Sequence, residues 1–153
     1  MPSLNTGNAI LSNAIAVNSS YNVGIGGAAS GSLKLQVTGS DILVNGLTIG
    51  EGAGSIASNT VLGASALPVN TTGTLNTAIG NSALLTNTTG YGNTSVGYSA
   101  IGYNTTGFFN AGVGVNALLS NTTGTYNNAL GTAALYANTT GSYNTAVGQQ
   151  AGT

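Results

Sequence analysis

Hydrophobic and polar positions recur every 17 residues from Asn59 to the end of the chain. An aliphatic residue returns once in each repeat, and a glycine follows it directly. The tetrapeptide Asn-Thr-Thr-Gly, here called the NTTG turn, returns with the same spacing. A fixed period of this length is typical of a chain that winds, with one repeat in each coil and each coil resting on its neighbours.

Each repeat contains two short apolar runs separated by turn residues. In the repeat at 76–92, the pattern predicts strands at 76–79 and 82–85 and a broad turn at 86–90. A helix is disfavoured, because every repeat carries Gly, Asn and several β-branched residues, each with a helix-propensity cost. The sequence therefore predicts an all-β protein, a parallel β-solenoid or β-roll of 17-residue repeats.

The recurring residues have predicted roles in the coil. The aliphatic position is the candidate inward core column, and it consists of Leu62, Ile79, Val96, Val113, Leu130 and Val147. The glycines that end the NTTG turns are expected to adopt left-handed backbone torsions, and they are Gly73, Gly90, Gly107, Gly124 and Gly141. The glycine after each aliphatic residue would permit a positive φ or a close backbone approach at a corner. Asparagines at a fixed coil position can stack as an amide ladder that satisfies its own hydrogen bonds.

The second predicted strand is apolar on both faces, as Ala83, Leu84 and Leu85 illustrate. One face can be buried in the lumen of the coil. The other would need a neighbouring chain, so the pattern predicts an oligomer in which solenoids are intertwined or packed side by side.

The chain upstream of the repeats differs in composition. Residues 1–32 are rich in Asn, Ser, Gly and Ala, which predicts an irregular docking arm with room for a short strand. Residues 33–58 are predicted to hold short strands and a glycine-rich joint, with Asn45-Gly46 as a hairpin signal. Residues 59–153 are then the shaft or head formed by the repeats.

Composition limits the possible chemistry. The chain of 153 residues has one basic and two acidic side chains and contains no His or Cys. Imidazole or thiolate metal sites and Ser-His or Cys-His nucleophile pairs are therefore excluded, and a single cation cannot neutralise a nucleic-acid backbone. Asp41 and Glu51 give no sign of a paired acid and base, and Gly24-Ile25-Gly26-Gly27 lacks the lysine and helix of a phosphate loop. We predict no catalytic, cofactor-binding or metal-binding residues, and no membrane insertion, because no apolar run approaches about 20 residues.

Aromatic residues follow most NTTG turns by one or two positions. They are Tyr91, Phe108, Phe109, Tyr126 and Tyr143. Two interpretations remain open at this point: a strip that stacks on sugars of a host surface, or packing between chains or along the edge of the coil.

The repeats carry a resemblance to known fibrous proteins. The segments 76–80, 93–97 and 144–148 resemble the NSVAIG-type repeats of trimeric autotransporter adhesin heads, which implies a left-handed β-roll packed as a homotrimer. The segments 22–26, 33–39 and 44–50, followed by the repeats, are similar to phage tail fibres and related virion fibres. That resemblance implies a virion location, contacts with other virion proteins through the N-terminal region, and attachment to a host surface glycan or protein.

Other functions fit the same pattern. A capsid decoration or head-fibre protein would use the same trimeric roll. The head of a bacterial trimeric adhesin, on the extracellular surface, would need an export signal and an anchor, and the start of the chain has no basic, apolar leader pattern. An ice-binding solenoid would need a flat Thr-x-Thr array, whereas the threonines of Thr71-Thr72 and Thr88-Thr89 are adjacent.

Overall fold

The computed structural model describes residues 46–153 in full and, upstream of them, the backbone of four short strands. The chain forms two units, Met1–Ser40 and Asp41–Thr153. The first unit contains β1 (Ile15–Val17), β2 (Val23–Ile25) and β3 (Leu35–Val37) in the order β1-β2-β3. β1 pairs antiparallel with β2, and β2 pairs parallel with β3. Two strands thus lie in residues 1–32, where the sequence predicted an irregular arm with a short strand.

The second unit begins with a hairpin of β4 (Ile42–Val44) and β5 (Leu47–Gly50). Gly46 lies in the connection with φ 81°, which confirms the hairpin signal. β5 then pairs antiparallel with the first strand of the repeats. The repeat strands are β6 (Thr60–Gly63), β7 (Thr77–Ile79), β8 (Thr94–Val96), β9 (Ala111–Val113), β10 (Asn128–Leu130) and β11 (Thr145–Val147).

The strands β6 to β11 form one parallel ladder in sequence order. Each residue pairs with the residue at the same position of the next repeat, as Thr77 does with Thr94 and Ile79 with Val96. No helix occurs in the described part of the chain. The predicted all-β, parallel β-solenoid with one 17-residue repeat in each coil is therefore confirmed.

The predicted second strand of each repeat is wrong, because this segment is a turn. Ser82 and Leu84 have φ of 58° and 51°, which lies in the left-handed region and not in the β region. The torsions break the alternation of a strand, so Ala83 and Leu84 are both completely buried while Leu85 is only partly covered. The segment therefore has no two-sided apolar strand, and the argument for an oligomer from it fails.

The predicted inward orientation of the aliphatic column is also wrong, because these side chains face outward. The strands alternate between outer and inner positions, and the inner ones are Val61, Ala78, Ser95, Gly112, Ala129 and Ala146. The aliphatic column lies outward: Leu62, Leu130 and Val147 are 40%, 52% and 69% exposed. Ile79, Val96 and Val113 are partly covered.

The lumen is narrow, and the turn segment supplies its large side chains. Those residues are Leu67, Leu84, Ile101, Leu118 and Leu135, and all are buried. From the second repeat onward, the facing strands contribute only alanine, serine or glycine to the lumen, whereas β6 contributes Val61. At Gly112, an added Cβ would lie 2.6 Å from Cγ1 of Ile101. From the second repeat onward, this competition for space explains why the aliphatic residue of each strand points outward.

Candidate functional site

The first recurring arrangement is a buried amide ladder at the NTTG turns, and the predicted stacking of asparagines is confirmed. Nδ2 of Asn104 donates to Oδ1 of Asn87 at 2.7 Å and to the carbonyl oxygen of Gly107 at 2.9 Å. Nδ2 of Asn121 in turn donates to Oδ1 of Asn104 at 3.0 Å. Each asparagine thus closes its own turn and binds the neighbouring coil. The ladder contains Asn70, Asn87, Asn104, Asn121 and Asn138.

The glycines of the NTTG turns are needed for close packing. Their φ values lie outside the left-handed region, so the predicted left-handed torsions are wrong. Instead, a Cβ added at Gly90 would lie 2.3 Å from Oδ1 of Asn87 and 2.4 Å from the carbonyl oxygen of Gly107. The ladder and the neighbouring coil leave no room for a side chain at Gly73, Gly90, Gly107 or Gly124.

A second amide ladder lies at the start of each strand. Nδ2 of Asn76 donates to the carbonyl oxygen of Gly90 at 2.9 Å, and its Oδ1 accepts the backbone N–H of Asn93 at 3.0 Å. The same pattern links Asn59, Asn76, Asn93, Asn110, Asn127 and Asn144. Among the described residues, every buried side-chain nitrogen and oxygen has a hydrogen-bond partner. The polar interior is therefore fully satisfied.

The Asn-Thr-Thr triplets match a glycosylation sequon, yet their amides are inaccessible. Asn87, Asn104 and Asn121 are completely buried, and each Nδ2 donates to the preceding asparagine of the ladder and to the glycine carbonyl of its own turn. These three triplets therefore serve the turn and offer no acceptor for a sugar in the folded solenoid.

Threonine hydroxyls continue the stacking at the edge of the coil. Oγ1 of Thr88 donates to the carbonyl oxygen of Thr105 at 3.1 Å, and Oγ1 of Thr105 donates to that of Thr122 at 3.1 Å. Strand threonines also point outward, but Ala111 and Asn128 interrupt their column. Neither set forms the regular Thr-x-Thr array that an ice-binding surface would require.

The five aromatic residues after the NTTG turns form one cluster. The rings of Tyr91 and Phe108 stack at 4.8 Å with 6° between their planes, and those of Tyr126 and Tyr143 stack at 5.1 Å with 4°. Phe109 lies at 5.1 Å from Tyr91 with its ring nearly perpendicular. The stacked rings cover one another's faces, which are the surfaces on which a sugar would stack. The arrangement therefore favours packing along the coil edge over a continuous sugar-binding strip.

Removing a ring from the middle of this cluster should cost more stability than removing one from its end. Phe108 contacts three other rings, whereas Tyr143 contacts one and is 78% exposed. We expect Phe108→Ala to destabilise by about 2 kcal/mol through lost stacking and burial, and Tyr143→Ala by less than about 1 kcal/mol. Denaturant unfolding followed by circular dichroism measures both, and equal losses would contradict the cluster geometry.

The sequence did not reveal the turn residues with left-handed torsions. These include Ser82, Ser99 and Asn116 at one position and Leu84, Ile101 and Leu118 at another. Asn tolerates this conformation, so position 116 carried a weak signal. Leu and Ile give none, because only the neighbouring coils determine that they turn inward.

The described residues contain no group of three His, Cys, Asp or Glu side chains that could hold a metal ion. Nor is there, within the part of the chain that the structure describes, a helix with the length and hydrophobicity needed to span a membrane. Comparisons with protein-family models, curated proteins and solved structures find no match to this chain.

Proposed function

We propose that this chain is a structural, non-enzymatic protein, a homotrimeric rod of the virion-fibre type that contributes to attachment at a host surface. The observation that carries the proposal is the pair of buried amide ladders, which extends through every repeat. The residues that recur most strictly serve stacking between coils. Each stacked coil adds length and stiffness to the solenoid, and a fibre requires both.

The chemical character of the repeats supports a mechanical role. Residues 52–153 contain no charged side chain and no His or Cys, so this part of the chain lacks the carboxylates, amines, imidazoles and thiols on which most catalytic sites depend. General acid–base and nucleophilic mechanisms depend on such groups or on residues activated by them. A non-catalytic role is therefore the simplest one for the solenoid.

The resemblance of residues 21–153 to phage tail fibres supports the location on a virion. Under this proposal the N-terminal region contacts other virion proteins, and the solenoid projects toward the host. A surface glycan or protein is the proposed receptor class. The aromatic cluster would contribute to attachment through exposed ring edges, or through the outer face of Tyr143 at its end.

Location on a particle tests the proposed role. Antibodies raised against residues 59–153 and coupled to gold should label the tail appendages of particles that carry this protein, as seen by electron microscopy. Label on the capsid would assign it to head decoration instead, and label on bacterial cell surfaces in the absence of particles would assign it to an adhesin. Either result would overturn the tail-fibre proposal.

The oligomeric state is a separate expectation. The full chain should sediment as three copies at micromolar concentration in analytical ultracentrifugation. A stable monomer under these conditions would contradict the homotrimer.

A further inference from the structure

The outward surface of the repeat strands presents a continuous apolar column. We call it the aliphatic face, and it consists of Leu62, Ile79, Val96, Val113, Leu130 and Val147. Leu62, Leu130 and Val147 are at least 40% exposed. The parallel register of β6 to β11 places the six side chains in one straight line, with a rise of about 4.8 Å between coils.

The aliphatic face is the outward column that stays aliphatic in every repeat. The column just after the corner glycine varies freely: Ala64, Asn81, Tyr98, Val115, Thr132 and Gln149. The other outward column of the strand also varies: Thr60, Thr77, Thr94, Ala111, Asn128 and Thr145. These columns belong to the same coils, so they show what the fold itself tolerates at an outward position.

The fold of one chain does not require aliphatic residues on this face. Strand propensity is satisfied by threonine, which occupies the neighbouring outward position at Thr77 and Thr94. Leu62 and Leu130 are not β-branched, so propensity does not explain them either. An apolar column that is kept in every repeat while facing outward marks an interaction surface.

We propose that copies of this chain pack on one another through the aliphatic face, which lies toward the rotation axis of the homotrimer. This inference rests on the proposed homotrimer and specifies its contact. A second copy is the occupant that fits, because it presents aliphatic side chains with the same rise over the same number of coils. Residues 52–153 carry no charge, so no like-charge repulsion between identical repeats opposes the packing.

A matched pair of substitutions in one coil tests the face. Val113 lies on the aliphatic face, whereas Val115 lies two residues away in the variable column and is 44% exposed. Val113→Asp would place one carboxylate per copy near the axis, in an interface without cations. We expect the apparent dissociation constant to rise at least a hundredfold, while Val115→Asp leaves it within about threefold of the unchanged protein. Sedimentation over a dilution series measures both values.

The outcomes separate this inference from the proposed function. A monomeric unchanged protein would overturn both the homotrimer and its contact. An intact trimer in Val113→Asp, or equal effects of the two substitutions, would overturn the aliphatic face alone and leave the fibre proposal standing.

Single cysteines provide a second measurement if Val113→Asp fails to fold. The natural chain has no Cys, so Val113→Cys introduces one thiol in each copy. Thiols near a rotation axis can come within disulfide distance, and a mild oxidant should then yield a covalent dimer on a non-reducing gel. Val115→Cys should remain monomeric on the same gel. Cross-linking at 115 and not at 113 would overturn the assignment.

Discussion

Replacing Asn104 by aspartate is expected to unfold the central coils at neutral pH, although the two side chains have nearly the same shape. Asn104 is completely buried, and its Nδ2 donates to Oδ1 of Asn87 and to the carbonyl oxygen of Gly107. A carboxylate would lose both donated bonds and face two acceptors. Breaking a buried polar arrangement in this way costs more than about 3 kcal/mol, a large part of a total stability of about 5–15 kcal/mol.

The same substitution should make stability depend on pH. Burial against acceptors raises the pKa of the introduced carboxyl group above its unfolded value of about 3.9. In the pH range between those two pKa values the folded state binds more protons, so stability falls as pH rises. We expect partial recovery of the folded state near pH 3 and its loss toward pH 7, followed by circular dichroism.

An exposed asparagine in another repeat of the solenoid provides the control. Asn81 lies on the surface, where its Oδ1 accepts a hydrogen bond from Oγ of Ser82, and an aspartate can still accept it. Asn81→Asp should therefore change stability by less than about 1 kcal/mol and leave the pH profile nearly flat. A folded Asn104→Asp protein at neutral pH would contradict the ladder as a principal source of stability.

Gly114→Ala is expected to prevent normal stacking of the coils on either side of it. A Cβ at this corner would lie 2.6 Å from the carbonyl carbon and oxygen of Gly131. These are backbone atoms of the next coil, and their hydrogen bonds hold them in place. Gly114 also has φ 133°, which an L side chain adopts only with strain of about 1–3 kcal/mol. Steric overlap and strain together should destabilise by more than about 4 kcal/mol.

A substitution at Gly148 separates the contribution of steric overlap from that of backbone strain. This glycine occupies the corner position of the last coil with φ 120°, but an added Cβ meets nothing within 4 Å. Gly148→Ala should therefore show the backbone strain alone, about 1–3 kcal/mol. Thermal unfolding of the two variants gives the comparison. Equal losses would mean that torsion, and not contact between coils, explains the recurrence of glycine.

The repeat period alone predicted much of this fold. Asparagine and glycine at fixed positions indicated stacked coils and an amide ladder, and the hydrogen bonds from Asn104 to Asn87 and from Asn121 to Asn104 confirm both. The hairpin before the repeats was visible in Asn45-Gly46. These features depend on local chemistry, so they can be identified without knowing the cross-section of the coil.

The direction of the strand side chains could not be predicted in the same way. In a three-residue strand such as Thr77–Ile79, the hydrophobicity of Ile79 predicts that its side chain faces inward. The small side chain of Ala78 gives no signal in favour of the opposite orientation. The choice depends on the space that Leu84 occupies from the opposite side of the lumen. Leu84 reaches that place through a left-handed torsion that its sequence does not signal. The expected inward column and second strand failed together for this one reason.

Successive coils meet through the same set of contacts, here called the seam, and this has a consequence at the level of the gene. Each coil contacts its two neighbours through the same asparagines and glycines, so a whole repeat could be gained or lost by recombination within the coding DNA without disturbing the seam. A one-residue insertion would instead shift every later asparagine off its partner. The length of the solenoid could thus evolve in steps of about 4.8 Å, without selection for any new residue.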